Sequence, residues 1–215
     1  MATGKRCLYN RSHSLSTPAA VFRILAPSHY RRMPWKNGGG FTEEIVAYPE
    51  RAALGGFDWR VSIAEVARDG PFSRFPGIDR TIALIEGAGM RLSHGDVHVV
   101  LRTRFEPYAF DGDDPVDCKL VSGPVRDFNA MVRRDRARGE VAAIRAGASI
   151  AAADFRIVFA AIGAFECAQG GETPIDIAQQ HTLVVEQTSG AGASPLAVRP
   201  LEAGAVALAV RIEWR

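Results

Sequence analysis

Short apolar runs bounded by Gly, Pro or Asp punctuate this chain from Gly40 to Trp214, and they recur at roughly ten-residue intervals, the rhythm of an antiparallel all-β protein. Such spacing leaves no room for the helical crossovers that parallel strands require. Strand signals are read at 40–48, 57–66, 81–86, 89–93, 97–101, 108–110, 116–122 and 128–133. A second series follows at 141–145, 156–161, 165–168, 181–187, 196–201 and 205–214. Two series of short strands predict two β-barrels joined near Asp111 to Pro115. The expected division is a barrel over 21–112 and another over 113–215, preceded by a disordered tail over 1–20, where no periodicity is visible. The Ala-rich stretch from Ala142 to Phe155 has room for a helical turn.

Within the first series, Phe57 to Ala64 alternates cleanly, which places Phe57, Trp59, Val61 and Ile63 on one face and Arg60 and Ser62 on the other. In a barrel the second face lines the lumen; on a free sheet it meets water. Alternation alone fits both.

The wider composition narrows the function classes. A chain of 215 residues that is 47% hydrophobic and 23% charged is an ordinary globular one, and no apolar run nears the roughly 18 residues of a membrane span. The N-terminal stretch lacks the apolar segment of a secretory signal. Cys7, Cys118 and Cys167 lie far apart, which suits reduced, buried thiols rather than a disulfide framework or zinc clip. A net charge of +2 offers no basic face for a phosphate backbone. The cluster Arg133, Arg134, Arg136 and Arg138 is interrupted by Asp135 and reads as a solvated loop. The expectation is a soluble, cytoplasmic protein with neither nucleic acid nor membrane as partner.

Three segments carry polar groups with a reason to converge. In Met33 to Glu44, three consecutive glycines free the backbone to approach a ligand, and Lys36 and Asn37 add a charge and an amide beside Trp35. The lysines are Lys5, Lys36 and Lys119 in a chain whose other basic residues are Arg, so Lys36 stands out. A glycine-rich bend is the alternative. In Gly70 to Arg80, aromatics, prolines and glycines fix a loop able to hold Arg80 over a pocket mouth, or merely to form an Asp79–Arg80 turn. In Gly123 to Met131, Asp127 and Asn129 share one strand face and, pointed inward, would need partners. The histidines form no His-x-His pair: His94 and His98 are separated by a Gly95-Asp96 turn, so no metal is expected.

Taken together, Trp35-Lys36-Asn37-Gly38-Gly39-Gly40 with Thr42, Phe57 to Ser62, Gly70 with Phe72 to Arg80, and Asp127 to Met131 resemble the HutD/Ves family. The similarity runs from about Val21 to Arg215 and is strongest up to Arg134. It implies a bicupin, two jelly-roll barrels in one chain. It also implies an association with bacterial histidine utilisation, as a regulator that binds an intermediate such as formylglutamate. Where the family commonly has Arg after the Thr, this chain has Glu43, which bears on anion affinity if that position touches the ligand.

The resulting expectation is a bicupin without metal or cofactor that binds a small carboxylate in its N-terminal barrel. Lys36 and Arg60 supply charge, Asn37 and the amides of Gly38, Gly39 and Gly40 orient the ligand, and Trp35, Thr42, Glu44, Ser62, Arg80 and Asn129 complete the site. One alternative is a metal-independent isomerase or hydrolase using Lys36 or Glu44 for acid–base work. Another is an interaction protein that docks a partner on its second barrel. A homodimer through the apolar face of Phe57 to Ile63 is also expected.

Overall fold

A computed structural model describes residues 20–35, 38–53, 55–188 and 194–215. Its strands in chain order are β1 (Ala20–Leu25), β2 (Arg31–Pro34), β3 (Gly40–Tyr48), β4 (Trp59–Val66), β5 (Gly70–Pro71), β6 (Ile78–Glu86), β7 (Met90–His94), β8 (Val97–Leu101), β9 (Tyr108–Asp111), β10 (Asp117–Leu120) and β11 (Val125–Arg133). There follow β12 (Ala137–Ile144), β13 (Ala148–Ile150), β14 (Phe155–Ile162), β15 (Phe165–Gln169), β16 (Ile175–Ile177), β17 (Thr182–Gln187), β18 (Leu196–Pro200) and β19 (Val206–Trp214). Among the described residues the one helical element is a short 3-10 turn, Pro27–His29, and no helix is long and apolar enough to cross a membrane. The Ala-rich stretch forms the end of β12, then β13.

Four antiparallel sheets build two jelly-roll barrels. The first barrel pairs a sheet ordered β2-β3-β4-β11-β6-β9 with one ordered β5-β10-β7-β8; the second pairs β1-β17-β14-β19-β12 with β13-β18-β15-β16. The division expected between residues 112 and 113 therefore cuts through the first barrel, because β10 and β11 pair with β7, β4 and β6. Strand β1, expected in the first barrel, hydrogen-bonds to β17 of the second. Pairing partners distant in sequence override the chain order.

The two large sheets pack face to face. Trp59, Val61 and Ile63 from β4 and Phe128, Ala130 and Val132 from β11 share one core with Phe155, Ile157 and Phe159 of β14 and Leu208, Val210 and Ile212 of β19. Each large side chain buried there contributes on the order of 2–3 kcal/mol. Rings stack through the seam, Phe128 on Phe159 with centroids 5.7 Å apart. The face expected to serve a homodimer is thus closed within the chain: Val61 is 0% exposed. Phe57 leaves that face, since it precedes β4 and packs with Ile78 and Met131. Tyr30 ties the barrels at the edge, its hydroxyl donating to the Gln180 carbonyl at 2.7 Å and meeting Thr182 Oγ1 at 2.9 Å.

The arginine cluster divides: Arg136 and Arg138 are exposed, as a solvated loop requires, whereas Arg133 and Arg134 are structural. Arg134 is held by Asp79, Asp111 and Asp113, and Arg133 donates to the carbonyls of Phe57 and Gly55.

Candidate functional site

The opposite face of the first barrel's large sheet looks into a cavity of about 580 Å3. Strand register lays out its floor in rows. Arg60 of β4, Met131 of β11 and Arg80 of β6 lie side by side; the next inward-facing row is Ser62, Asn129 and Ile82, and the next Ala64, Asp127 and Leu84. From β3, Glu44 lies beside Ser62 and Thr42 beside Ala64. Phe72, Ser73, Phe75 and Trp35 wall the opposite side. Such a mostly apolar lining with a few converging polar groups is the usual build of a small-molecule pocket.

A bulge in β3 makes this arrangement possible. The register with β4 shifts between Glu44 and Val46, so Ile45 and Val46 both feed the seam while Glu44 turns the other way. Glu44 accepts from Arg60 Nε at 2.7 Å and its second oxygen lies 2.9 Å from Arg31 Nη2. It stands behind Arg60 and does not line the cavity. The charge of Arg60 is accordingly compensated, although its Nη2 finds no partner among the described residues.

Arg80 is the cation with most to offer. It faces the lumen, not Asp79, which pairs with Arg134. Its guanidinium carbon lies 4.7 Å from the Phe110 ring centre and 5.5 Å from those of Phe72 and Phe75, an arrangement that favours a flat cation. Nη1 donates to the Ser73 carbonyl at 3.2 Å, whereas Nε is buried without a partner among the described residues. Burial lowers this guanidinium to about 10; Asp127 opposes that shift and Arg60 adds to it. Asp127, 1% exposed, mirrors it: burial pushes the carboxyl up to about 7 against the lowering field of Arg80. Asp127 Oδ2 and Asn129 Oδ1 also lack partners among the described residues. Buried polar atoms are normally satisfied; four that are not lie around this one cavity.

Of the expected site residues, Trp35, Thr42, Arg60, Ser62, Arg80 and Asn129 line this cavity. Trp35 is fixed by its Nε1 donating to Thr42 Oγ1 at 2.8 Å. Lys36 and Asn37 lie outside the described residues. Gly38 and Gly39 are not on the cavity wall. The Gly38 amide donates to the Trp35 carbonyl at 3.0 Å, and Gly39 accepts from Ala67. A Cβ on Gly40 would sit 1.8 Å from the Glu65 carbonyl oxygen; its glycine is required by the close approach of β3 to β4. Glu43 pairs with Arg126 at 3.1 Å and does not line this cavity. The residue missing from the expected set is Asp127, whose i, i+2 spacing from Asn129 is the signal that finds it.

Among the described residues no group of three His, Cys, Asp or Glu is placed to hold a metal ion. His94 is bound at both nitrogens, to Asp114 at 3.0 Å and Tyr108 at 2.9 Å. In the second barrel the lumen is filled by side chains such as Val158, Phe165 and Leu183. Its buried Arg156 is engaged by Gln169, Gln187 and the Ser194 carbonyl, while its Nε has no partner among the described residues.

Comparison with known proteins gives a consistent set of relatives. A family model described as HutD matches residues 27–203. An uncharacterized 21.2 kDa protein in the hutC 3' region of Pseudomonas putida is 43% identical over 119 residues, 55% of this chain and 62% of that protein. Protein Ves of Citrobacter koseri is 41% identical over 115 residues, 52% of this chain and 59% of that protein. The matched stretches thus span less than two thirds of these curated relatives. Among solved structures, the conserved protein of unknown function PA5104 from Pseudomonas aeruginosa PAO1 superposes with a TM-score of 0.82 at 33% identity, covering 90% of this chain and 99% of that one. HutD from Pseudomonas fluorescens SBW25, in a formate condition, gives 0.77 at 32% identity, covering 91% and 100%.

Proposed function

Because the chain belongs to the HutD family, we propose that it binds a small carboxylate metabolite in its first barrel and acts as a regulator in bacterial histidine utilisation. The observation that carries this reading is the pair of buried guanidiniums, Arg60 and Arg80, each with a nitrogen at one cavity that has no partner among the described residues. A carboxylate satisfies such nitrogens with charge-assisted hydrogen bonds. Asn129 Oδ1, an acceptor beside them, suits an N–H donor on the same molecule. A formylglutamate-like ligand carries both functions, and the hutC-region name of one relative agrees in kind. The output is an occupancy signal read by a partner.

A thermal-shift screen tests it directly, since a ligand that binds only the folded state raises Tm by mass action. Histidine, urocanate, formiminoglutamate, formylglutamate and formate form the panel. A rise with formylglutamate that disappears in Arg80→Gln supports the reading; no response to any member, or a response that survives Arg80→Gln, rejects it.

A second reading, a metal-independent isomerase or hydrolase, is favoured by the Asp127 carboxyl, whose upward shift to about 7 suits general acid–base work. Glu44, expected in that role, is instead held by Arg60 and Arg31. Turnover of the same panel, with and without chelator, separates catalysis from binding.

A further inference from the structure

Asp127 is more enclosed than either lumen arginine, and a carboxyl so placed repels any anion drawn in by Arg60 and Arg80 unless it is neutral. The neutral strands around it offer no compensation: Ala64 of β4 and Leu84 of β6 stand opposite it. Among the described residues, the charged group that acts on Asp127 is Arg80 of β6, and Arg80 in turn feels Arg60 of β4, with Glu44 of β3 behind it. From β10 comes Cys118, whose thiol is pushed up to about 12 by burial, with the Asp127 charge adding to the shift. Arg80 is the group that lowers the Asp127 carboxyl. A ligand carboxylate that pairs with Arg80 cancels that field, and burial alone then acts on Asp127.

We infer that an anion entering this lumen is taken up together with one proton from solvent, which settles on Asp127; the inference rests on the binding role proposed above. Once neutral, Asp127 donates its O–H to a ligand oxygen instead of repelling it. A ligand bearing an ammonium group has the opposite effect, since it stabilises the carboxylate and displaces the proton. Proton uptake is therefore expected with acids that lack a free amino group, such as dicarboxylates and N-acylated amino acids, and not with zwitterions.

Two measurements on the full chain test this. The first needs no ligand: a carboxyl NMR titration of labelled aspartates, with Asp127 assigned by its loss in Asp127→Asn. In Arg80→Gln, which mimics the cancelled field, the Asp127 midpoint rises by about one pH unit or more, a tenfold change in its ionisation constant. In Arg80→Lys, which keeps the charge, it stays near the wild-type value and above the ordinary carboxylate range. A midpoint in the ordinary range in wild type or Arg80→Lys, or one unmoved in folded Arg80→Gln, overturns the inference whether or not anything binds. The second is calorimetry with formylglutamate, formate and histidine in buffers of different ionisation enthalpy. Formylglutamate is expected to take up a fraction of a proton approaching one near pH 7.5, with affinity falling toward tenfold per pH unit above about pH 7. Both effects vanish in Asp127→Asn. Binding without proton uptake overturns the inference and leaves the functional reading intact. Absence of any binding sinks the functional reading, and the NMR titration then decides the coupling of Arg80 to Asp127 alone.

Discussion

Trp59 and Phe155 meet with ring centroids 4.7 Å apart across the seam between the barrels, and the residue after each, Arg60 or Arg156, turns into the lumen of its own barrel. The two rings hold the halves together from corresponding strand positions. Trp59→Ala and Phe155→Ala should each cost about 3–5 kcal/mol. The double variant should cost less than their sum, because the two share one cavity. Urea titration of the four proteins checks both statements.

The ion pair of Glu44 with Arg60 should be expensive to break from one side. Glu44→Gln leaves a buried guanidinium uncompensated and is expected to cost about 3–5 kcal/mol, whereas replacing both partners with apolar residues of similar volume recovers most of it. Denaturant midpoints of the single and double variants measure the difference.

Asp127 makes stability depend on pH with a definite sign. Its carboxyl is raised by burial from the ordinary 3.8 to about 7, so between these values the folded state holds a proton that the unfolded state has released. Its contribution is complete below about pH 4 and is lost as pH rises through about 7, by on the order of 4 kcal/mol. Asp127→Asn removes this slope. Stability curves of wild type and variant should diverge from pH 4 to 7, with the variant relatively more stable at pH 8; parallel curves would contradict the assignment.

Two glycines of the Gly38 to Gly40 run separate by cause. Gly40→Ala forces a Cβ onto the Glu65 carbonyl and should prevent β3 from closing on β4, seen as loss of the cooperative melt. Gly38, at φ +66, should tolerate Ala at a cost of about 1 kcal/mol. A ligand response retained in Gly38→Ala would agree with its place off the cavity wall.

Local pattern carried most of the strand content and part of the site. Alternation in Trp59 to Ile63 placed Arg60 and Ser62 together on one face, and the same rule paired Asp127 with Asn129. Alternation does not tell what covers each face, so the apolar side, read as a surface for a second copy, meets β14 and β19 instead. Alternation also sets Glu44 on the face of Thr42, but not that Arg60 and Arg31 hold it there; the bulge at Ile45, which inverts the facing of Val46, Ala47 and Tyr48, is announced by no residue type. The three glycines looked like a ligand cradle because sequence shows their freedom of φ but not the Glu65 carbonyl lying against Gly40.

The earliest described strand, Ala20–Leu25, finds its hydrogen-bond partners at Thr182–Gln187. On the ribosome this segment emerges long before those residues exist and must wait, unpaired, while the intervening barrel forms. Closure of the molecule is therefore a late event in synthesis, and a chain halted before Gln187 would carry an open β-edge at its beginning.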